Sequence, residues 1–99
     1  MKVVVSAAAA ADLEAIGDWI ARDNPARAST FVRELREACE SLALSPQAFA
    51  QVPRYEHQGI RRRVYGNYLI FYRINGDIIE VVHILHGARD YESILFPDG

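Results

Sequence analysis

IRRRVYGNYLIFYRINGDIIEVVHIL, residues 60 to 85, decides how this chain folds. It splits into three runs rich in Ile, Val, Tyr and Phe, at 60–65, 68–74 and 78–85. Between them lie Gly66-Asn67 and Asn75-Gly76-Asp77, residues that tolerate the positive φ of tight hairpin turns. Three strands joined in this way predict an antiparallel meander.

Upstream the period changes. Residues 2–5 are short and β-branched and read as a strand, with Ser6 placed to cap a following helix. From Ala7 to Arg22 the Ala-rich stretch favours helix, with Ala9, Leu13, Ile16 and Ile20 on one stripe and Trp19 at its margin. Asp23-Asn24-Pro25 ends that helix and starts another, Asn24 as N-cap and Pro25 in the first turn. Ala28, Phe31, Val32, Leu35, Ala38, Cys39 and Leu42 then recur at helical spacing until Ser45-Pro46. So short a link folds the two helices into an antiparallel hairpin. Residues 47–60 have no clear period and read as an ordered loop. The element order is βααβββ, an α+β fold of two layers.

Strict alternation would put Ile79, Val81, His83 and Leu85 on one face of the last strand and Ile78, Glu80, Val82 and Ile84 on the other. Neither this strand nor 68–74 has a cleanly polar face. A two-helix hairpin covers one side of a small sheet, so apolar area is expected to remain for a partner or a groove. The other reading is that the 47–60 loop folds across it.

Ninety-nine residues, 51% hydrophobic and 24% charged, suit one globular domain spanning 1–99. The net charge of -2 argues against a general nucleic-acid binder, yet it is unevenly spread. Residues 1–53 carry a net -2, residues 54–73 a net +4 with five arginines, and residues 74–99 a net -4. A basic middle favours an anionic partner for one surface only. Cys39 stands alone, which excludes an intrachain disulfide and suits a reducing cytoplasm. MKVVVSAAAAA runs straight into an amphipathic pattern with Asp12 and Glu14, so a secretory signal is not expected. No apolar run approaches the ~20 residues of a membrane span.

His83 and His86 are spaced for a shared metal on a helix, but IIEVVHILH reads as strand, which sends them to opposite faces. No other ligands complete a set, so neither a metal nor a cofactor is expected. His86 ends the strand before Gly87, either as a chemistry-bearing side chain or as a histidine capping the turn. Gly87 is expected to supply a backbone geometry that other residues resist.

YLIFYRI, a turn, IIEVVHILH and then GARDY resemble the C-terminal half of ParE toxins in the RelE/ParE superfamily. AAAADLEAIGDWIA and NPARASTFVRELREACESL extend the likeness over nearly the whole chain. The resemblance implies the toxin of a type II toxin–antitoxin pair, with a ParD-like antitoxin as partner. It leaves two activities open: inhibition of DNA gyrase, as in ParE, and ribosome-dependent cleavage of messenger RNA, as in RelE. The RelE-like pattern is poorly kept. Leu69 follows Tyr68 where such nucleases carry an arginine, Leu95 stands where their tyrosine aligns, and only Arg89 matches. The expectation is therefore a gyrase inhibitor with no catalytic residue of its own and no sequence-specific DNA binding by this chain alone. An inactive member kept as an antitoxin partner or co-repressor is a third reading.

Candidates for the toxic surface are Arg61, Arg63, Arg73, His86, Arg89 and Tyr91. Arg61 and Arg63 share a strand face and could meet an acidic protein or phosphate, or simply solvate an edge strand. Arg89 could act on a target or pair locally with Asp90. Candidates for antitoxin binding are Trp19, Tyr68, Ile70, Tyr72, Val82 and Ile84, the aromatic and apolar residues nearest the expected uncovered surface.

Overall fold

The computed structural model describes residues 1–98. Strand β1 (Lys2–Val5) leads into α1 (Ala7–Ala21) and α2 (Pro25–Glu40), then a 3-10 turn at Ser41–Leu44. After an irregular stretch come β2 (Arg61–Tyr65), β3 (Tyr68–Asn75), β4 (Ile78–His86) and a short α3 (Tyr91–Leu95). The four strands form one mixed sheet in the order β1-β4-β3-β2, with β1 parallel to β4 and the rest antiparallel.

The caps fall where the side-chain chemistry puts them. The Ser6 hydroxyl accepts from the Ala9 amide at 3.1 Å, and Asn24 Oδ1 accepts from the Arg27 amide at 3.0 Å with Pro25 beginning α2. Gly66 and Gly76 both take positive φ, which lets the two hairpins close. Gly87 does not. Its φ is not positive and an added Cβ would meet Asn67 O at an ordinary 3.5 Å, so the expected backbone requirement there is corrected.

The first core lies between the hairpin and one sheet face. Ala9, Leu13 and Ile16 of α1 and Leu35, Ala38 and Cys39 of α2 pack on Ile70, Tyr72, Ile79, Val81 and Ile84. Ile84 belongs to this face although alternation assigned it to the other. Phe71 pairs with His83 and Tyr72 with Val81, so Val82 is an extra residue in β4. This β-bulge reverses the parity of everything after it, sending Ile84 and His86 to the helical face and Leu85 to the opposite one. The bulge sits where β1 ends. Ser6 donates its hydroxyl to Val82 O at 3.1 Å, and the Ser6 amide donates to Val81 O.

The second sheet face is covered by the chain itself, which corrects the expectation of surplus apolar surface. Val52 and Ile60 from the irregular stretch, and Phe96 just after α3, close over Leu69, Phe71 and Leu85. The Tyr55 and Phe96 rings stack at 4.0 Å. The stretch before β2 is stitched to that strand by Arg62 N–H to Ala50 O and Val52 N–H to Ile60 O, both backbone bonds. Two small apolar clusters thus share one sheet, and both are sealed. Among the described residues no buried side-chain polar atom lacks a partner, and no helix is long and apolar enough to cross a membrane.

Candidate functional site

The arginines that cluster in sequence separate in space. Arg61 and Arg63 project to the helical side of β2, opposite Tyr72 and Ile70 of β3. Arg61 Nη1 donates to Phe49 O at 2.7 Å, holding the irregular stretch. Arg63 Nη1 donates to Ala38 O at 2.7 Å and to Ser41 Oγ at 2.5 Å, and its guanidinium lies 5.1 Å from the Phe49 ring centroid. A cation on the last carbonyls of α2 satisfies groups the helix leaves unpaired and complements its dipole. Arg73 faces the other side, paired with Glu80 at 2.7 Å. Tyr91 is engaged locally too, since its hydroxyl accepts from Arg62 at 2.8 Å while its ring packs 5.1 Å from Phe71. Four of the six toxic-surface candidates are therefore engaged in holding the fold. They do not form one basic patch.

His86 and Arg89 do come together, at the exit of β4. His86 Nδ1 accepts from the Ala88 amide at 3.1 Å, capping the turn, and its ring meets Tyr68 edge-on at 5.3 Å. The Arg89 side chain is exposed and makes no ion pair among the described residues. The local pair with Asp90 does not form, because the Asp90 carboxylate instead caps α3 and accepts from the Ser93 hydroxyl at 2.6 Å.

These two residues line a groove of about 420 Å³ between α1 and the end of β4, with Trp19 and Tyr68 among its walls. Trp19 is 64% exposed with the Arg22 guanidinium 5.1 Å from its ring. Tyr68 sits between His86 and Phe31, tilted against the latter at 5.5 Å. Of the antitoxin-binding candidates, Trp19 and Tyr68 thus sit on an open surface. Ile70 and Tyr72 are corrected: both are buried beneath the hairpin and offer a partner no side-chain area, while Ile84, also buried, lies at the floor of the groove. Val82 is half-buried on the opposite face, beside α3 and Phe96.

Asp12 is the residue the sequence did not single out. Its Oδ2 accepts the Ile84 amide at 2.9 Å and lies 2.8 Å from His83 Nδ1. Helix α1 is thereby tied to the edge of β4 just beyond β1. His83 and His86 lie on opposite faces.

Elsewhere the ionisable groups are structural. Glu34 is held below the usual carboxylate range by its hydrogen bonds from Arg27 and Tyr65. Burial raises the Tyr72 hydroxyl, which donates to Pro46 O at 2.7 Å. Burial likewise pushes the Cys39 thiol up to about 11.

The chain thus builds a mixed four-stranded sheet under a helical hairpin, with a groove at the strand exit. The toxin–antitoxin complex RelBE2 from Mycobacterium tuberculosis shares the fold at a TM-score of 0.64, with 19% identity over 86% of this chain and 95% of that one. The chromosomal ParDE toxin–antitoxin system from P. aeruginosa is more alike, at a TM-score of 0.76 and 26% identity over 87% of this chain and 95% of that one. A search of curated proteins found no match. The family model for the ParE toxin of the type II toxin–antitoxin system parDE matches residues 3–91. The chain belongs to this family of toxins.

Proposed function

We propose that this toxin arrests growth by binding DNA gyrase in the cytoplasm, cutting no nucleic acid itself, and that a ParD-like antitoxin silences it. The observation that carries the reading is the chemistry of the second sheet face. Leu69, Phe71 and Leu85 fill it, with Leu95 packed alongside. An RNA cleaver needs a base for the 2′-hydroxyl, cations for the phosphorane and an acid for the leaving oxygen. The apolar, covered middle of this face supplies none of these, and the groups at its margin are taken up, Arg73 by Glu80 and Arg62 by Tyr91. The antitoxin half of the reading is supported by the likeness to a ParDE system.

The test runs two assays on the same purified protein. Loss of gyrase supercoiling with intact transcripts in a translating extract is the expected result. Cut transcripts with normal supercoiling would move the protein to the ribosome-dependent nucleases. Neither effect, with normal growth on expression, would identify an inactive member.

A further inference from the structure

We infer that the free edge of β1 pairs with β1 of a second copy of this chain, across a two-fold axis at Val4, so that two four-stranded sheets join into one. The observation behind it is a row of unpaired backbone groups. β1 is an outer strand of the sheet and bonds β4 on one side only. The Lys2 amide donates to Asp77 O and the Ser6 amide to Val81 O, so the even-numbered residues face β4. Peptide groups alternate in direction along a strand, which turns the N–H and C=O of Val3 and Val5 outward. Among the described residues no other backbone group pairs with these four. β1 thus lacks the cover that β2 has, where Arg62 N–H bonds Ala50 O and Val52 N–H bonds Ile60 O.

The placing of the four groups names the occupant. Val3 and Val5 stand one residue either side of Val4, so a two-fold axis at Val4 sets Val3 of each copy opposite Val5 of the other. Each such pair exchanges both N–H···O bonds, and every outward group of both copies is satisfied. The two Val4 residues then form the closer, non-hydrogen-bonded pair, apolar against apolar. Lys2, the strand's one charge, falls opposite Ser6 of the second copy and meets no like charge. A longer strand gains nothing more, because beyond Ser6 the chain turns into α1 and Asp12 already caps the Ile84 amide of β4. The edge therefore fits a strand as short as itself. Beside it the 3-10 turn at Ser41–Leu44 lies against β1 and leaves Leu44 85% exposed, apolar area for the second copy to cover. The partly covered edge at β2 stops the pairing at two copies. So short a seam buries less than the ~1,600 Å² of a standard interface, and the dimer is accordingly expected only in the micromolar range.

Sedimentation velocity of the purified full chain from about 1 to 300 μM, with amide exchange read at both ends of that range, tests the seam. The expected result is a concentration-dependent dimer in which the Val3 and Val5 amides exchange at least tenfold more slowly than in the dilute monomer. Val4, whose amide faces β4, is protected throughout. Val4→Lys sets two cations face to face and should weaken the dimer at least tenfold. Val4 is half-buried and packs in neither core cluster, so the fold should survive the change. Val4→Cys decides the matter should that variant fold poorly. With glutathione disulfide as oxidant, its copies should cross-link at least tenfold faster than those of Val64→Cys, the exposed control on β2, because directly opposed Cα atoms lie within disulfide reach. A monomer throughout the range, a dimer indifferent to Val4→Lys, or cross-linking no faster than the control would each overturn the seam. Protection of Val3 and Val5 only on adding a ParD-like antitoxin would assign the edge to the antitoxin and overturn the second copy.

Discussion

Replacing Arg63 with alanine separates a structural arginine from a toxic one. The side chain bonds Ala38 O and Ser41 Oγ and lies against the Phe49 ring, so it joins β2 to the end of α2 and to the irregular stretch. Hydrogen bonds from a charged donor contribute ~1.5–3 kcal/mol each when dry, less where water competes. Arg63 is half-buried, so the discounted sum of both bonds and the ring contact is about 2 kcal/mol. With a urea m value of about 1–2 kcal/mol/M for a domain of this size, the midpoint should fall by roughly 1–2 M. Lysine should recover only part of the loss, because one ammonium cannot reproduce the planar fork. Arg89→Ala, at an exposed side chain without an ion pair, should stay within about 0.5 kcal/mol of the parent. The assay is equilibrium unfolding of the purified toxin followed by far-ultraviolet circular dichroism. An unchanged midpoint for Arg63→Ala together with lost toxicity would refute the structural assignment and return Arg63 to the target surface.

Phe71→Ala should destabilise by about 3–5 kcal/mol in the same unfolding assay, since a fully buried ring on the second face leaves a cavity. Ser6→Ala should cost about 1–2 kcal/mol, because one hydroxyl caps α1 and also donates to Val82 O at the bulge; amide exchange in residues 82–84 should quicken as well. Glu34 has a depressed folded-state pKa, so its contribution is complete above the ordinary carboxylate range and is lost as pH falls through and below it. Glu34→Gln should therefore flatten part of the acid limb of a urea-midpoint profile between pH 6 and pH 3. Cys39, with its thiol at about 11 and fully buried, should resist thiol reagents at pH 8 in the native protein and react promptly in urea.

Much of this architecture is legible in the sequence because local chemistry and tertiary demand agree there. Ser6 and Asn24 cap, Pro25 starts, Gly66 and Gly76 turn, and the apolar spacing of both helices matches what they bury. The misread features are those in which no local signal exists. The bulge at Val82 lies in IIEVVHIL, where almost every residue is apolar, so either parity looks equally sound. The covering of the second face comes from Val52, Ile60 and Phe96, single apolar residues scattered through aperiodic stretches. The arginine triplet suggests a patch, yet strand geometry splits it between faces and backbone carbonyls claim two of its members. Asp12 escaped because a carboxylate on a helix usually meets water; here it caps a strand edge that only the endpoint of β1 exposes.

The sealing of both sheet faces changes what an antitoxin has to do. Had one face been bare, neutralisation and folding would be coupled, and losing the antitoxin would leave a chain prone to aggregate. Here Leu69, Phe71 and Leu85 are already covered by Val52, Ile60 and Phe96 without help. The large apolar side chains still open to solvent among the described residues are scattered, Met1, Leu44 and Val64 away from the groove and Trp19 within it. A partner is therefore not needed to complete a core. Its departure therefore leaves a folded protein behind. For a toxin held in check by a second protein, that independence lets it act as soon as it is released.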